Sequence, residues 1–298
     1  MIRKLGAIVA MLLAPALAAA QDFSKVEVVT TRLSETTYMM TGAGGNQGLS
    51  IGEDAVFVID DQYAPLTDRI LAAIARLTPK PVRFVVNTHW HGDHTGGNEN
   101  FGKAGAILVA HDNVRRRLST EQFNEFMRRT TPPSPRGAWP VVTFPAAITF
   151  HLNGDEMRVT HVPRAHTDGD AIVVFLKSDV IHMGDVFWNG LYPFIDTASG
   201  GSVDGTIAAC DQALALATET TKIIPGHGPL SNRAGLKAYR DMLAAIAARV
   251  RALLDAGRTV DEIVAAKVTA EHDEKWGKGF LPPARFAELV ARDILKNR

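Results

Sequence analysis

The feature that most constrains this chain is a run of six residues with four side chains able to bind metal. It follows an apolar run from Val82 to Val86, and the four residues are His89, His91, Asp93 and His94. Imidazole nitrogen and carboxylate oxygen are good ligands for zinc, and histidine loses its proton near pH 7. Side chains two positions apart share a face of an extended chain, so His89 and His91 point to one side. A turn after them brings Asp93 and His94 to an adjacent position, so one loop serves two neighbouring ions.

Two metal ions need more than four ligands, and three further candidates lie downstream at His166, Asp185 and His227. Asp185 and His227, like the first loop, follow short β-branched strand candidates that end at glycine or a loop. The carboxyl ends of strands are where α/β sheets usually place functional groups. His166 differs because it precedes its apolar run, Ala171 to Leu176. The whole pattern disfavours the alternative interpretation, a surface loop that is merely rich in histidine.

The order of these residues resembles the metallo-β-lactamase superfamily of binuclear metallohydrolases. The resemblance runs from about Val26 to about Ser231 and rests on His89-x-His91-x-Asp93-His94, then His166, then Gly184-Asp185, then Gly226-His227-Gly228. It implies an α/β (α+β) fold, a four-layer αβ/βα sandwich with two mixed β-sheets face to face and helices outside. It also implies two Zn²⁺ ions per chain at one edge of the sheets. The implied ligands are His89, His91 and His166 for one ion, Asp93, His94 and His227 for the other, and Asp185 as a bridge.

One position departs from part of that superfamily. Its best-known zinc β-lactamases have a cysteine where this chain has Asp185, whereas a Gly-Asp pair resembles glyoxalase-type thioesterases, lactonases and many generic hydrolases. The segment His166-Thr167, followed by Asp170, resembles the lactamase branch instead. The only cysteine, Cys210, lies in an apolar helical stretch, and we expect it in the core.

The implied metals predict the chemistry. Zinc lowers the pKa of bound water to about 7, and two ions about 3.5 to 4 Å apart can share a hydroxide. We expect this zinc-bound hydroxide to attack a carbonyl, with Asp93 as the catalytic residue that orients it and relays its proton. The leading hypothesis is hydrolysis of a cyclic amide (β-lactam) or an ester. The alternatives are a lactonase or glyoxalase-type thioesterase, an iron-dependent sulfur dioxygenase, which would leave some ligands unused, and a non-catalytic metal-binding protein.

Aromatic segments near the ligands predict the substrate pocket. Four rings lie between Phe187 and Phe194, directly after Asp185, and Trp139 lies in a proline-rich segment at about 115–145 that we interpret as an insertion bordering the site. The candidate pocket residues are Trp90, Trp139, Phe187, Trp188 and Tyr192. Such rings favour an apolar or ring-shaped small molecule. The glycine-rich segment 42–48 precedes a strand rather than a helix, which disfavours phosphate binding and favours a loop near the metals.

The chain divides into a signal peptide, residues 1–20, and a single domain, residues 21–298. Arg3 and Lys4 precede an apolar run, Leu5 to Leu17, and three alanines, which is the pattern of a secretory signal. The run is shorter than the roughly 20 residues of a spanning helix, which disfavours a retained membrane anchor. We therefore expect a periplasmic or secreted protein with no stable membrane insertion after cleavage. The formal balance of 32 basic and 32 acidic residues argues against a nucleic-acid partner.

Periodicity predicts the remaining elements. An antiparallel meander is expected from strands at Val26–Val29, Thr37–Met40, Leu49–Ile51 and Ala55–Ile59, followed by a helix at Leu66–Leu77. The C-terminal part, about 233–298, is predicted to be helical, with helices at Arg233–Ala256, Thr259–Val268 and Pro283–Lys296. These helices either cover a sheet or mediate subunit contact, so the oligomeric state stays open. His111 is expected to cap a strand or helix rather than to bind metal.

Overall fold

The computed structural model describes residues 22–298, and the predicted signal peptide lies outside the described residues. The strands are β1 (Val29–Arg32), β2 (Thr37–Thr41), β3 (Gln47–Ile51), β4 (Val56–Ile59), β5 (Val82–Asn87), β6 (Ile107–His111), β7 (Gln122–Asn124), β8 (Arg129–Thr131), β9 (Val142–Phe144), β10 (Ala147–Leu152), β11 (Asp155–His161), β12 (Ala171–Phe175), β13 (Val180–His182), β14 (Lys222–Ile224) and β15 (Ser231–Asn232).

The helices alternate with these strands and then dominate the C-terminal part. They are α1 (Thr67–Ala75), α2 (Gly92–Thr95), α3 (Asn98–Lys103), α4 (Asp112–Leu118), α5 (Val203–Leu216), α6 (Arg233–Asp255), α7 (Val260–Ala265), α8 (Asp273–Trp276) and α9 (Pro283–Lys296). None of the helices in residues 22–298 combines the length and apolar character that crossing a bilayer requires.

The first sheet has seven strands in the order β1-β2-β3-β4-β5-β6-β9. Strands β1 to β4 form the predicted antiparallel meander, and β4, β5, β6 and β9 run parallel. The first strand lies later than the predicted Val26–Val29, because its ladder starts with Val29 opposite Thr41. The turn before β2 fixes this register, since Oγ of Ser34 accepts a hydrogen bond from the backbone N–H of Thr37.

The second sheet has six strands in the order β10-β11-β12-β13-β14-β15. Strands β10 to β13 are antiparallel neighbours. Helix α5 connects β13 to β14, and these two strands therefore run parallel. Because parallel strands end at the same edge, the segments that follow β13 and β14 meet there. Those segments carry Asp185 and His227.

The two sheets enclose the central core, and helices cover both outer faces. Side chains from both sheets, including Phe57 and Val86 from the first and Val173 from the second, form one buried cluster between them. Ile70 of α1 belongs to a cluster on the outer face of the first sheet. Tyr239 of α6 belongs to the cluster on the outer face of the second. This is the predicted four-layer αβ/βα sandwich.

The segment predicted as an insertion, about 115–145, contains more regular structure than its prolines suggest. Strands β7 and β8 form a two-stranded hairpin separate from both large sheets. At the end of the segment, β9 joins the first sheet beside β6. The prolines lie between these strands, where no ladder needs their missing N–H groups.

The C-terminal helices cover the second sheet. Leu243 of α6 and Phe286 of α9 share the buried cluster that contains Ile181 and Ile223 of β13 and β14. The Thr259 side chain caps α7 as predicted, in a reciprocal box with Glu262. This helix ends at Ala265, before the predicted Val268.

Candidate metal centre

The first ligands lie on the loop that leaves β5 and enters α2. Asp60, just after β4, holds this loop in place. Its carboxylate accepts hydrogen bonds from the backbone N–H and from Oγ1 of Thr88, each at 2.7 Å. His91 directly precedes α2, which turns the chain so that Asp93 and His94 face a different position from His89.

One group of ligand atoms combines residues from both sheets. It consists of His89, His91, His166 and Asp185, whose ligand atoms lie within 4.8 Å of one another. Nε2 of His166 lies 2.8 Å from Nδ1 of His91. Oδ2 of Asp185 lies 3.5 Å from Nε2 of His166 and 3.8 Å from Nε2 of His89.

A second group lies beside the first and consists of Asp93, His94 and His227. Oδ2 of Asp93 lies 3.2 Å from Nε2 of His227 and 3.6 Å from Nε2 of His94. A third combination, Asp60 with His89 and His94, is equally compact. Because Asp60 already accepts hydrogen bonds from Thr88 and His94, we assign it a supporting role.

Asp185 contacts both main groups through different oxygen atoms. Oδ2 faces His89 and His166 of the first group, as described above. Oδ1 lies 3.0 Å from Nε2 of His94 and 3.4 Å from Nε2 of His227 in the second group. A carboxylate placed in this way can bind one cation with each oxygen.

The ring nitrogens that face away from the centre are held by hydrogen-bond acceptors. The partners are Oγ1 of Thr88 for His89 (3.1 Å), Oδ2 of Asp60 for His94 (2.7 Å), Oδ2 of Asp196 for His91 (3.0 Å) and the carbonyl of Phe194 for His166 (2.7 Å). Such outer acceptors fix the orientation of each ring, so its inner nitrogen offers a lone pair to the centre once a metal ion replaces the proton there.

Two buried atoms of the centre have no hydrogen-bond partner within the described chain, Nε2 of His89 and Oδ1 of Asp185. Oδ1 is close to His94, but not in hydrogen-bonding geometry. Unpaired buried polar atoms are costly unless a ligand or ion satisfies them. Imidazole nitrogens and carboxylate oxygens that converge in this way fit a divalent cation such as zinc.

The electrostatics of the second group favour positive charge. Burial opposes a charge on His94, but the carboxylates of Asp185 and Asp93 raise the pKa of its imidazole well above the usual value. Burial also lowers the pKa of His227, but Asp185 and Asp93 outweigh this effect and raise the pKa to about 9. A position that holds protons so strongly is suited to a cation.

Other ligands are in the protonation state that metal binding needs. Burial lowers the pKa of His166 to about 4 and that of His89 well below its usual value, so both rings are neutral at pH 7. Burial opposes ionisation of Asp93, but the charge on His94 and a hydrogen bond from His227 lower its pKa to about 2. Metal ions bind neutral imidazole and ionised carboxylate.

A cavity of about 520 Å³ opens over this centre. Asp93, Asp185 and His227 contribute to its lining, together with His91. An apolar wall stands beside them and consists of Met127, Trp188, Leu191, Phe194 and Phe280. The ring of Trp188 lies against that of His227, with 4.2 Å between the ring centroids. The metal centre is therefore open to a small molecule from one side.

Comparison with known families agrees with this geometry. The family model described as the Metallo-beta-lactamase superfamily matches residues 41–227, more than half of the chain. The chain belongs to the metallo-beta-lactamase superfamily. Members of this superfamily are metal-dependent hydrolases, and the His/Asp groups of this chain can bind the metal ions that such enzymes use.

Individual relatives of the superfamily are distant. A hydroxyacylglutathione hydrolase from Nitrosococcus oceani is 28% identical over 181 residues, which make up 59% of this chain and 60% of that protein. A metallo-beta-lactamase structure from Pontibacter korlensis has a TM-score of 0.60 at 19% identity, covering 73% of this chain and 99% of that one. The structure of a double mutant of the sec-alkyl sulfatase PisA1 has a TM-score of 0.68 at 18% identity. The match covers 91% of this chain and 50% of the sulfatase chain. At these identities the two structures show a shared fold.

Three of the five predicted pocket residues of this metallo-beta-lactamase-like chain lie elsewhere. Phe187 and Tyr192 are fully buried, because their rings pack against the C-terminal helices, on Tyr239 and Phe286 respectively. Trp139 packs beside Trp90 in a small cluster under the loop, where its indole N–H donates to the carbonyl of Ser134. Trp90 and Trp188 do line the cavity.

Sequence reasoning missed several residues that line the cavity of this superfamily member. Tyr63 follows β4, Phe280 precedes α9, and Asn124 and Arg129 lie on the β7–β8 hairpin. No motif in the sequence marked these residues. Arg129 directly follows Arg128, and such basic clusters normally indicate a solvated surface.

The other predictions near the superfamily site are confirmed. His111 caps α4 by accepting a hydrogen bond from the backbone N–H of Asn113. Cys210 is fully buried. The glycine-rich loop reaches the metal centre, because a Cβ on Gly45 would lie 2.0 Å from Cε1 of His94.

Proposed function

We propose that this protein is a dinuclear zinc hydrolase that cleaves a carboxylic ester or thioester. The supporting observation is the carboxylate of Asp185, whose two oxygens face separate ligand groups. A Gly-Asp pair at this position resembles glyoxalase-type thioesterases, and the 28% identical relative is named a hydroxyacylglutathione hydrolase. On these two points we favour esters and thioesters over the cyclic amide that was the leading hypothesis from sequence.

The donor sets define how the chain would hold two ions. One ion would be bound by His89, His91 and His166. The other ion would be bound by Asp93, His94 and His227, and Asp185 would bind both ions. Bound zinc would supply a Lewis acid for the scissile carbonyl and lower the pKa of water to about 7.

The remaining work falls to the protein's own side chains. The Asp93 carboxylate is ionised and lines the cavity, so the oxygen that does not face His94 and His227 can accept the proton of the attacking water. Outer hydrogen bonds hold the ligand rings in one orientation throughout the reaction. The apolar wall, including Trp188 and Phe280, would bind the acyl group and limit access of bulk water.

A β-lactam is the second candidate substrate class. The observation in its favour is the open cavity of about 520 Å³ with aromatic rings beside the metal centre, which accommodates a fused ring system. The two classes differ in the group that leaves, a thiolate or alcohol in one and an amide nitrogen in the other.

Metal analysis combined with a hydrolysis screen tests the proposal. The mature protein, loaded with zinc, is assayed in parallel on an S-acyl glutathione, an acyl lactone and nitrocefin. We expect two zinc ions per chain and fastest turnover of the thioester or lactone. One iron per chain with no hydrolysis would favour a dioxygenase and refute the proposal.

A variant pair tests the role of Asp93. Asp93→Ala is expected to abolish turnover, a loss of at least about 100-fold, with an unchanged circular dichroism spectrum. Asp68→Ala, an exposed carboxylate on α1, serves as the control and should retain full activity. Retained turnover in Asp93→Ala would contradict the assigned role.

We also propose that residues 1–20 are removed during export and that the mature enzyme acts in the periplasm. The support is the Arg3-Lys4 pair, the short apolar run and the alanines that follow. N-terminal sequencing of the protein recovered from a periplasmic fraction tests this. A full-length protein that remains in the cytoplasm would exclude it.

A further inference from the structure

The hairpin β7–β8 forms one side of the cavity over the metal centre. Asn124, Met127, Arg129 and Thr131 of this hairpin all line the cavity. The hairpin is tied to the centre, because Nδ2 of Asn124 donates to Oδ1 of Asp196 at 2.7 Å, and Asp196 holds His91. The position of the hairpin is therefore coupled to a metal ligand.

Arg129 is the only lysine or arginine among the residues that line this cavity. Its guanidinium makes no hydrogen bond or ion pair with residues 22–298, whereas Arg115 donates to the carbonyl of Pro140 and Arg117 pairs with Asp168. A guanidinium presents several N–H donors in a planar fork that matches a carboxylate. Arg129 thus brings an unused anion-binding group to the cavity.

Tyr63 lines the same cavity and adds a hydroxyl without a hydrogen-bond partner in the described part of the chain. A phenol hydroxyl is both a hydrogen-bond donor and an acceptor. The hydroxyl can therefore donate a hydrogen bond to an anion in the cavity that Arg129 also lines.

The cavity consequently has two chemically different regions besides the metal centre. The first is the apolar wall, which includes Trp188 and Phe280. The second is a cationic, hydrogen-bond-donating region that consists of Arg129 and Tyr63. The acidic side chains that line the cavity, Asp93, Asp185 and Asp196, all face histidine rings and do not pair with Arg129.

We propose that Arg129, assisted by the hydroxyl of Tyr63, binds a carboxylate of the substrate. This deepens and rests on the proposed function: the substrate is an acyl ester or thioester that carries a carboxylate away from the scissile carbonyl, with its apolar part against Trp188 and Phe280. Arg129 then determines specificity because it binds the substrate and takes no part in bond cleavage. Its removal therefore raises KM and leaves kcat unchanged.

A matched pair of substrates tests this inference. The phenylacetyl thioester of 3-mercaptopropionic acid carries a carboxylate, and the thioester of 3-mercaptopropionamide is its neutral counterpart. In zinc-loaded protein, Arg129→Ala is expected to raise KM for the acid about tenfold, with kcat and the KM for the amide within about twofold of wild type. Arg129→Lys should be intermediate, because it keeps the charge but not the planar fork.

Arg128→Ala is the matched control, since Arg128 is the preceding exposed arginine and lines a different cavity. It should leave both KM values unchanged. Equal effects of Arg129→Ala on the two thioesters, or no preference for the acid in wild type, would overturn the proposal.

A binding measurement separates this proposal from the proposed function. The thioether analogues, 3-(phenethylthio)propionic acid and its amide, cannot be hydrolysed and are titrated calorimetrically into wild type and Arg129→Ala. Tighter binding of the acid that is lost in the variant supports the carboxylate subsite even if wild type cleaves neither thioester. Equal affinities for the acid and the amide in wild type refute the subsite even if both thioesters are cleaved.

Discussion

The carboxylate of Asp196 accepts a hydrogen bond from the imidazole of His91, with 3.0 Å between Oδ2 and Nε2. Asp196 is fully buried and also caps the 3₁₀ turn at Thr197–Ser199. Burial opposes its ionisation, but the hydrogen bond from His91 and the charge on that ring lower its pKa to about 2. Asp196 therefore fixes the ring so that Nδ1 faces the metal centre.

Replacing Asp196 should weaken metal binding. Asp196→Ala is expected to lower zinc affinity about 10- to 100-fold, because outer hydrogen-bond partners of metal-binding histidines have effects of this size. Competition with a chromophoric chelator measures the affinity. Asn124→Ala is the control, since it removes another contact of Asp196 but leaves the bond to His91 intact. Equal losses in both variants would argue against an orienting role for Asp196.

The glycine-rich loop provides a steric test of the second ligand group. A Cβ on Gly45 would lie 2.0 Å from Cε1 and 2.3 Å from Nε2 of His94. Since Asp60 holds the far side of that ring, Gly45→Ala should displace His94 and reduce zinc content toward one ion per chain, measured by elemental analysis after gel filtration.

Gly92→Ala is the matched control for this test. A Cβ at Gly92 meets no atom within 4 Å, and alanine has less conformational freedom to lose on folding than glycine. We expect two bound zinc ions and equal or slightly higher stability. If the two alanine variants behave alike, steric pressure on His94 is not the determining factor.

Much of the metal centre could be predicted from sequence because four of its ligands lie close together in the chain and have side chains that typically bind metal. His89, His91, Asp93 and His94 lie on one loop, and the structure places them next to three more predicted residues from the second sheet. Strand order could be inferred from short apolar runs separated by turns, as the meander of β1 to β4 shows.

The cavity could not be predicted in the same way because an aromatic ring has no preferred environment until its neighbours are known. Trp188 and Tyr192 are four positions apart, yet one lines the cavity and the other stacks on Phe286. Long-range packing of α9 decides this difference. Asp60 and Asp196 were missed for a similar reason, since their histidine partners lie 34 and 105 positions away.

The buried carboxyl of Asp61 should make stability depend on pH. Burial raises its pKa well above the ordinary value of 3.8, while the N–H of Gly97 partly opposes this. A group with a raised folded-state pKa contributes stability that is fully present below the unfolded pKa and lost as pH rises through the folded pKa. Asp61→Asn cannot ionise, so its free energy of unfolding should increase relative to wild type between pH 5 and pH 8.

Urea denaturation of both proteins at the two pH values measures this difference. Asp68→Asn changes an exposed carboxylate on α1 and serves as the control. Its free energy of unfolding should differ from that of wild type by the same amount at both pH values. A pH-independent effect of Asp61→Asn would show that Asp61 does not ionise with a raised pKa.

Zinc removal should destabilise the fold. Free zinc at about 1,000 times its Kd stabilises a protein by roughly 4 kcal/mol when only the native state binds it. We expect thermal and urea unfolding to show a shift of this order between chelator-treated and zinc-loaded protein. Asp185→Ala should retain less of this shift, because Asp185 contacts both ligand groups. An identical shift in wild type and the variant would exclude a bridging role.

Each ligand group draws on both halves of the sandwich. His89 and His91 follow a strand of the first sheet, whereas His166, Asp185 and His227 belong to segments that flank strands of the second. Neither half alone can assemble a complete coordination sphere. Zinc uptake during refolding would therefore report the docking of one sheet on the other, and bound ions would link the two halves of the sandwich.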